Sequence, residues 1–142
     1  MAGARYWREI QPRYNFIGDR CGICGKVYFP GRLICPTCHR ESLGKMEPKK
    51  LSGKGEVMSF TVVHEAPSNL ENQVPYVLAI IQLEEGPRLT AQVIDCEACD
   101  VKMGMKVRAV FRRIGQEGEA GVINYGFKFV PEGTASSKIT PT

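Results

Sequence analysis

Residues 20–38 read RCGICGKVYFPGRLICPTC, and two CxxC pairs, Cys21/Cys24 and Cys35/Cys38, flank the ten residues from Gly25 to Ile34. A CxxC step lets two sulfurs share one side of an ion without straining the backbone, and two such knuckles complete the four-thiolate shell that zinc prefers. The intervening stretch has the length and chemistry of a hairpin: Lys26 to Phe29 runs out, Pro30-Gly31 turns, and Arg32 to Ile34 returns. Gly25 tolerates a positive φ after the first knuckle, and Pro36 fixes φ inside the second. One structural zinc on Cys21, Cys24, Cys35 and Cys38 is the expectation. A closed shell leaves no coordination position for water or substrate, so the metal holds the fold and takes no part in chemistry.

The alternative for these cysteines, disulfides or buried free thiols, fits a secreted chain, and the start MAGARYWREI lacks the apolar run of a secretory leader. His39 stands next to Cys38 as a substitute ligand, although four thiols already fill the shell. The remaining pair, Cys96 and Cys99 in DCEACD, is surrounded by Asp95, Glu97 and Asp100. Negative charge raises a thiol pKa and argues against a reactive thiolate, so this pair reads as part of a loop or helical turn, with a disulfide or redox role as the alternative.

At 142 residues the chain has room for a small metal module and one compact domain. Residues 1–55 contain eleven Lys/Arg against four Asp/Glu, a balance of +7; residues 56–142 contain eight against eleven, a balance of −3, and together they give the net +4. The basic half suggests an anionic partner, either nucleic acid or a phosphorylated small molecule, while Lys45, Lys49, Lys50 and Lys54 suit a solvated linker. Nowhere do about eighteen consecutive apolar residues occur, as a membrane span requires. A soluble, cytoplasmic protein is expected.

Residues 1–17 form an aromatic arm in which Tyr6, Trp7 and Ile10 have helical spacing and Pro12 discourages continuation. The ribbon occupies 18–45, and 46–54, polar and basic with Pro48 and Gly53, reads as a linker. From 55 to 131 the pattern changes to short strands: Glu56–Val63, Tyr76–Leu83, Arg88–Ile94, Lys106–Arg113 and Val122–Val130. In the fourth, Val107, Ala109 and Phe111 are expected on one face, and Lys106, Arg108, Arg112 and Arg113 facing water or a ligand. Asp95 to Met105 is short for a helix and is expected to be one turn or a loop. The tail, 132–142, has a disordered composition. Five strands with an irregular segment between the third and fourth match an OB-type Greek-key barrel, and also suit small sandwiches and SH3-like barrels.

The string from Gly18 through Cys38 with Phe29-Pro30 at its turn, the MGMKVRAVF segment and the closing YGFKFVP together resemble the rubredoxin-like zinc-ribbon/OB-fold family of acyl-CoA-associated proteins, over roughly residues 5–131. The resemblance implies a mainly β chain: an N-terminal helical segment and rubredoxin-like zinc ribbon followed by a five-stranded OB-fold barrel. It also implies a non-catalytic partner of a thiolase (acetyl-CoA acetyltransferase) and of hydroxymethylglutaryl-CoA synthase that binds acyl-CoA or acetoacetyl-CoA and helps pass a CoA thioester between active sites.

The residues suit that division of labour. There is no GxSxG, P-loop or Rossmann fingerprint, and His64 and Glu65, adjacent on a strand, point to opposite faces. CoA binding needs cations for phosphates and flat surfaces for adenine. Candidates are Arg88, Arg112, Arg113 and Lys128, with Tyr125 as a stacking surface. The rival is nucleic-acid binding, common to OB folds and zinc ribbons. It needs aromatics and cations together on the middle strands, where YVLAIIQL is aliphatic after Tyr76 and the next strand offers only Arg88.

Overall fold

A computed structural model describes residues 7–116 and 118–133; Tyr6 of the arm and residues 134–142 of the tail lie outside the described residues. Helix α1 (Ile10–Tyr14) leads into a ribbon of three strands, β1 (Ile17–Cys21), β2 (Val27–Tyr28) and β3 (Met46–Lys50), in the order β2-β1-β3. Five further strands, β4 (Lys54–Val63), β5 (Tyr76–Leu83), β6 (Arg88–Val93), β7 (Lys106–Gln116) and β8 (Ile123–Pro131), close a barrel in the order β4-β5-β6-β8-β7. Neighbours are antiparallel except β6 and β8, which are parallel and share the single register pair Val93–Phe129. That order and that one parallel seam define the OB-fold among the architectures a five-strand pattern allows.

Alternation explains the barrel. Val77, Ala79, Ile81 and Leu83 of β5 are buried, as are Val57, Val93, Val107 and Phe129 from the other strands. Strand β5 thus turns every second side chain inward, and a slip of one residue would reverse the set; in β8 the neighbours Phe129 and Val130 are both buried. Asp95–Met105 is a run of turns with no helix, as its length suggests; Val101 drops into the core, and the backbone ties back to β4 through Val57 N–H to Met105 and Gly104 N–H to Val57.

Three local features differ from the sequence reading. Helix α1 runs through Pro12, because Glu9 is the N-cap and Pro12 falls in the first turn, where an N–H has no partner within the helix. Arg32–Ile34 does not return as a strand; β2 pairs instead with β1, Asp19 against Tyr28 and Arg20 against Val27. Met46–Lys50, expected as linker, is the second partner of β1, from Ile17–Lys50 to Cys21–Met46. Pro48 is tolerated there because β3 is an edge strand.

The ribbon is fastened to the barrel by aromatic rings. Phe16, buried, lies 4.6 Å from Phe29 of the ribbon and 4.7 Å from Phe127 of β8, centroid to centroid, and Tyr14 meets Phe111 edge-on at 5.0 Å. The backbone seals the junction: Leu51 N–H donates to the Phe16 carbonyl at 3.0 Å and Ala109 N–H to the Gly53 carbonyl at 2.7 Å. Gly53 has a φ of +77°, and a Cβ there would come within 3.1 Å of the Ala109 Cβ.

Candidate functional site

Cys21 ends β1, Cys24 lies in the turn after it, and Cys35 and Cys38 bound a second turn that leads into the 3-10 helix His39–Ser42. The two knuckles repeat one backbone solution. Gly25 N–H donates to the Cys21 carbonyl and His39 N–H to the Cys35 carbonyl, both at 2.9 Å, and the donor residues take positive φ, +73° and +49°. His39 therefore fills in the second knuckle the conformational position that glycine fills in the first. The four sulfurs lie within 4.8 Å of one another, with Cys21–Cys38 at 3.9 Å and Cys24–Cys35 at 3.5 Å. A tetrahedron with Zn–S bonds of about 2.3 Å has sulfur–sulfur edges of about 3.8 Å. The donor set and its spacing both fit one zinc, which would tie β1 to the turn before the 3-10 helix.

Two residues the sequence reading did not single out shape this centre. The Tyr28 hydroxyl sits 3.3 Å from the Cys35 sulfur and, as the largest influence, pulls that thiol down to about 5. Burial and hydrogen bonding among the sulfurs push Cys38 up to about 12, while backbone N–H groups lower Cys21. Ser42, fully buried, accepts from the Cys35 N–H at 2.9 Å and donates to the His39 carbonyl at 2.6 Å. Their signal in the sequence is position alone: Tyr28 lies on the strand beside the first knuckle and Ser42 four residues beyond the second.

On the barrel, Arg112 and Lys128 share one face of the β7–β8 pair, opposite Gly126 and Val110 respectively. Arg112 Nη2 lies 3.5 Å from Asp95, and Lys128 Nζ donates to Gln73 Oε1 at 3.1 Å. Burial, then the nearby Arg112 charge, lowers the Lys128 pKa. Arg113 and Tyr125 face each other on the opposite side of the hairpin, and the Tyr125 ring stacks on Phe111 at 5.5 Å. Arg88 stands apart at the start of β6, five residues and about 17 Å along the strand from Val93. The structure thus brings Arg112 and Lys128 together on one face, sets Arg113 on the other, and leaves Arg88 apart from all three. The placement of Arg113 departs from the expectation that it shares the face of Arg112, because adjacent residues of a strand point to opposite sides. Cys96 and Cys99 are free thiols in the 95–105 turns, and burial followed by Asp100, Asp95 and Glu97 raises Cys96.

A four-cysteine ribbon joined through a shared aromatic core to a closed OB barrel defines a two-module zinc-ribbon/OB-fold protein. Residues 8–44 match the family described as "ChsH2, rubredoxin-like zinc ribbon domain", and residues 49–112 match "ChsH2, C-terminal OB-fold domain". The chain is 57% identical over 127 residues to a "DUF35 domain-containing scaffold protein" of Methanocaldococcus jannaschii, covering 89% of each chain. It is 30% identical over 114 residues to "Benzoylsuccinyl-CoA thiolase subunit BbsA" of Thauera aromatica, covering 78% of this chain and 74% of that one. Among solved structures, "Ltp2-ChsH2(DUF35) aldolase" shares the fold with a TM-score of 0.66 at 24% identity, over 89% of this chain and 92% of that one. The chain belongs to the DUF35 scaffold-protein family, and its four cysteines form the family's zinc-binding ribbon.

Proposed function

We propose that this protein is a non-catalytic scaffold subunit that binds acyl-CoA, acetoacetyl-CoA included, beside a thiolase of the acetyl-CoA acetyltransferase type, with hydroxymethylglutaryl-CoA synthase as a second enzyme partner. The observation that carries this reading is the likeness, over most of both chains, to a protein whose name makes it a thiolase subunit. The ribbon surface supports it. Leu33 is 85% exposed and Ile34 45%, beside a groove of about 910 Å³ whose apolar wall of Pro12, Ile17, Phe29 and Pro30 is interspersed with the charged Glu9, Arg13, Asp19 and Arg32. Exposed apolar surface with polar residues around it marks protein interfaces. A subunit that holds a CoA thioester between two enzymes works through binding and effective concentration, with no bond made or broken by its own side chains.

The nucleic-acid reading draws on the +7 balance of residues 1–55. The outward positions of β5 and β6, alternating with the buried ones, are Tyr76, Leu78, Ile80, Gln82 and Arg88, Thr90, Gln92. A face with one aromatic ring and one cation is a poor stacking platform for bases.

The test is affinity purification of the tagged, zinc-loaded chain from native extract, with calorimetry against acetyl-CoA and acetoacetyl-CoA. Recovery of a thiolase together with a heat of CoA binding, by the chain or by the complex, supports the scaffold reading. A salt-sensitive gel shift with single-stranded oligonucleotide, and neither thiolase nor CoA signal, would sink it.

A further inference from the structure

The four sulfurs are not equivalent. Each knuckle turns two backbone N–H groups onto its own first sulfur: those of Ile23 and Cys24 onto Cys21, and those of Thr37 and Cys38 onto Cys35. Cys21 and Cys35 are fully buried, Cys38 is half-buried and Cys24 is exposed. Cys35 has a further donor from outside the knuckles, the Tyr28 hydroxyl at 3.3 Å. A thiolate bound to a metal carries no proton, so there the hydroxyl donates and the sulfur accepts.

The ribbon itself brings Tyr28 to that position and keeps it there. In the β1–β2 register it stands opposite Asp19, and β2 lies so near β1 that a Cβ at Gly18 would collide with the Tyr28 carbonyl oxygen. The Arg32 guanidinium lies over the ring, 5.6 Å from its centroid, a cation–π contact that limits the ring's movement. The next residue, Phe29, packs on Phe16 at 4.6 Å and ties the strand to the barrel junction. Ser42 acts on Cys35 differently. Buried, it accepts from the Cys35 N–H and donates to the His39 carbonyl, so it braces the backbone of the second knuckle and leaves the sulfur alone.

We propose that Tyr28 is a positioning residue for the zinc: its hydroxyl fixes Cys35 as the anchored corner of the tetrahedron, and the shell opens from its exposed corner, Cys24. A hydrogen bond draws charge from a thiolate, which weakens it as a nucleophile and keeps it oriented on the metal. Ligand exchange and attack by a soft electrophile both begin at a sulfur that solvent reaches and whose lone pairs are free. Cys35 meets neither condition, being buried and hydrogen-bonded, whereas Cys24 meets the first. This property belongs to the chain alone and is independent of any thiolase or CoA.

The full chain loaded with cobalt(II), which gives a sulfur-to-metal charge-transfer band, is compared as wild type, Tyr28→Phe and Ser42→Ala. Phenylalanine keeps the ring, its Arg32 contact and the strand, and removes only the donor. Loss of a hydrogen bond raises the energy of the sulfur lone pairs, so the Tyr28→Phe band is expected at longer wavelength. Its zinc affinity, by competition with a chelator, should be about 10–100-fold weaker. Ser42→Ala loosens the knuckle without touching a sulfur and is expected to weaken zinc with the band at its wild-type position. In parallel, the zinc-loaded wild type is treated with sub-stoichiometric iodoacetamide, each modification forming an S–C bond and releasing iodide. Peptide mapping is expected to find Cys24 labelled first among the four ligands. A Tyr28→Phe band and affinity equal to wild type, or an equal band shift in Ser42→Ala, would show that the hydroxyl does not position Cys35. First labelling at Cys35 or Cys21 would overturn the order of opening, and that result is read on the wild type, whatever the folding of the variants.

Discussion

The ring of Phe16, from the segment between helix α1 and the ribbon, meets the ring of Phe127 on β8 edge to face, centroids 4.7 Å apart. Phe16 also touches Phe29 of the ribbon, so one side chain joins the metal module to the barrel. Its φ of +56° is a conformation that a bulky residue adopts only when its surroundings fix it. Removing it leaves a cavity at the junction rather than in either module.

Phe16→Ala is accordingly expected to lower stability by about 3–5 kcal/mol, the cost of deleting a buried aromatic ring. Chemical denaturation monitored by zinc release from the ribbon and by barrel circular dichroism checks it. The two signals should separate in the variant, because the ribbon would no longer report the barrel's unfolding. Coincident transitions with a loss under about 1 kcal/mol would show that Phe16 does not join the modules.

His39 stands beside Cys38, and its φ of +49° assigns it to the left-handed position that Gly25 occupies in the other knuckle. A non-glycine residue there costs about 1–2 kcal/mol, partly offset by the greater freedom glycine has when unfolded. His39→Gly is predicted to retain one zinc per chain and to gain about 0.5–1 kcal/mol. Zinc content by elemental analysis, with thermal unfolding of the loaded protein, decides the matter. A fall in zinc content would make His39 a ligand after all.

Cys96 is raised above its ordinary value of 9.0, first by burial and then by Asp100, Asp95 and Glu97. Alkylation proceeds through the thiolate. At pH 8 Cys96 should therefore react more slowly with iodoacetamide than a free cysteine, and its rate profile should be displaced to higher pH. Asp100→Asn should move the profile part of the way back. The linkage has a definite sign: folding favours the protonated thiol, so this contribution is fully present below the unfolded value near 9 and is lost as pH rises through the folded one. Peptide mapping after timed alkylation measures the rate, and a Cys96 faster than free cysteine would contradict the electrostatics.

The barrel was legible in the sequence as five short β-forming segments between turn residues, with alternation plain in KVRAVFRR; YVLAIIQL is apolar at Leu78 and Ile80 too, so its buried set, Val77, Ala79, Ile81 and Leu83, comes from the structure. The cysteines were legible because metal ligation is specified by short local spacings. Strand β3 was not, since only Met46 of MEPKK is even half-buried, and a strand held on an exposed edge by backbone hydrogen bonds leaves no hydrophobic trace. Sequence chemistry proposed Arg112, Arg113 and Lys128 as cations. What it could not supply was Gln73, which reaches Lys128 across 55 positions of chain. Nor could it separate Arg88 from the other three, because distance around a closed barrel depends on strand order.

Leu33 is the most exposed large hydrophobic side chain among the described residues at 85%, and Ile34 follows it on the rim of the ribbon groove. Both lie just before Cys35, whose position the sulfur cluster fixes, so the pair is presented on a short, anchored segment. Rigid presentation limits the entropy lost on docking and favours such residues as interface anchors. Replacing both with glutamate is predicted to leave folding within about 0.5 kcal/mol, as exposed substitutions do. Affinity for the thiolase partner of the proposed scaffold should fall at least about tenfold, because two charges would be buried without partners. Surface plasmon resonance against the isolated thiolase gives the affinity, and zinc content verifies that the ribbon is intact. Unchanged affinity in a zinc-loaded double variant would move the enzyme interface off this face. The exposed Ile114, Val122 and Ile123 of the β7–β8 hairpin would then be the next apolar surface to test.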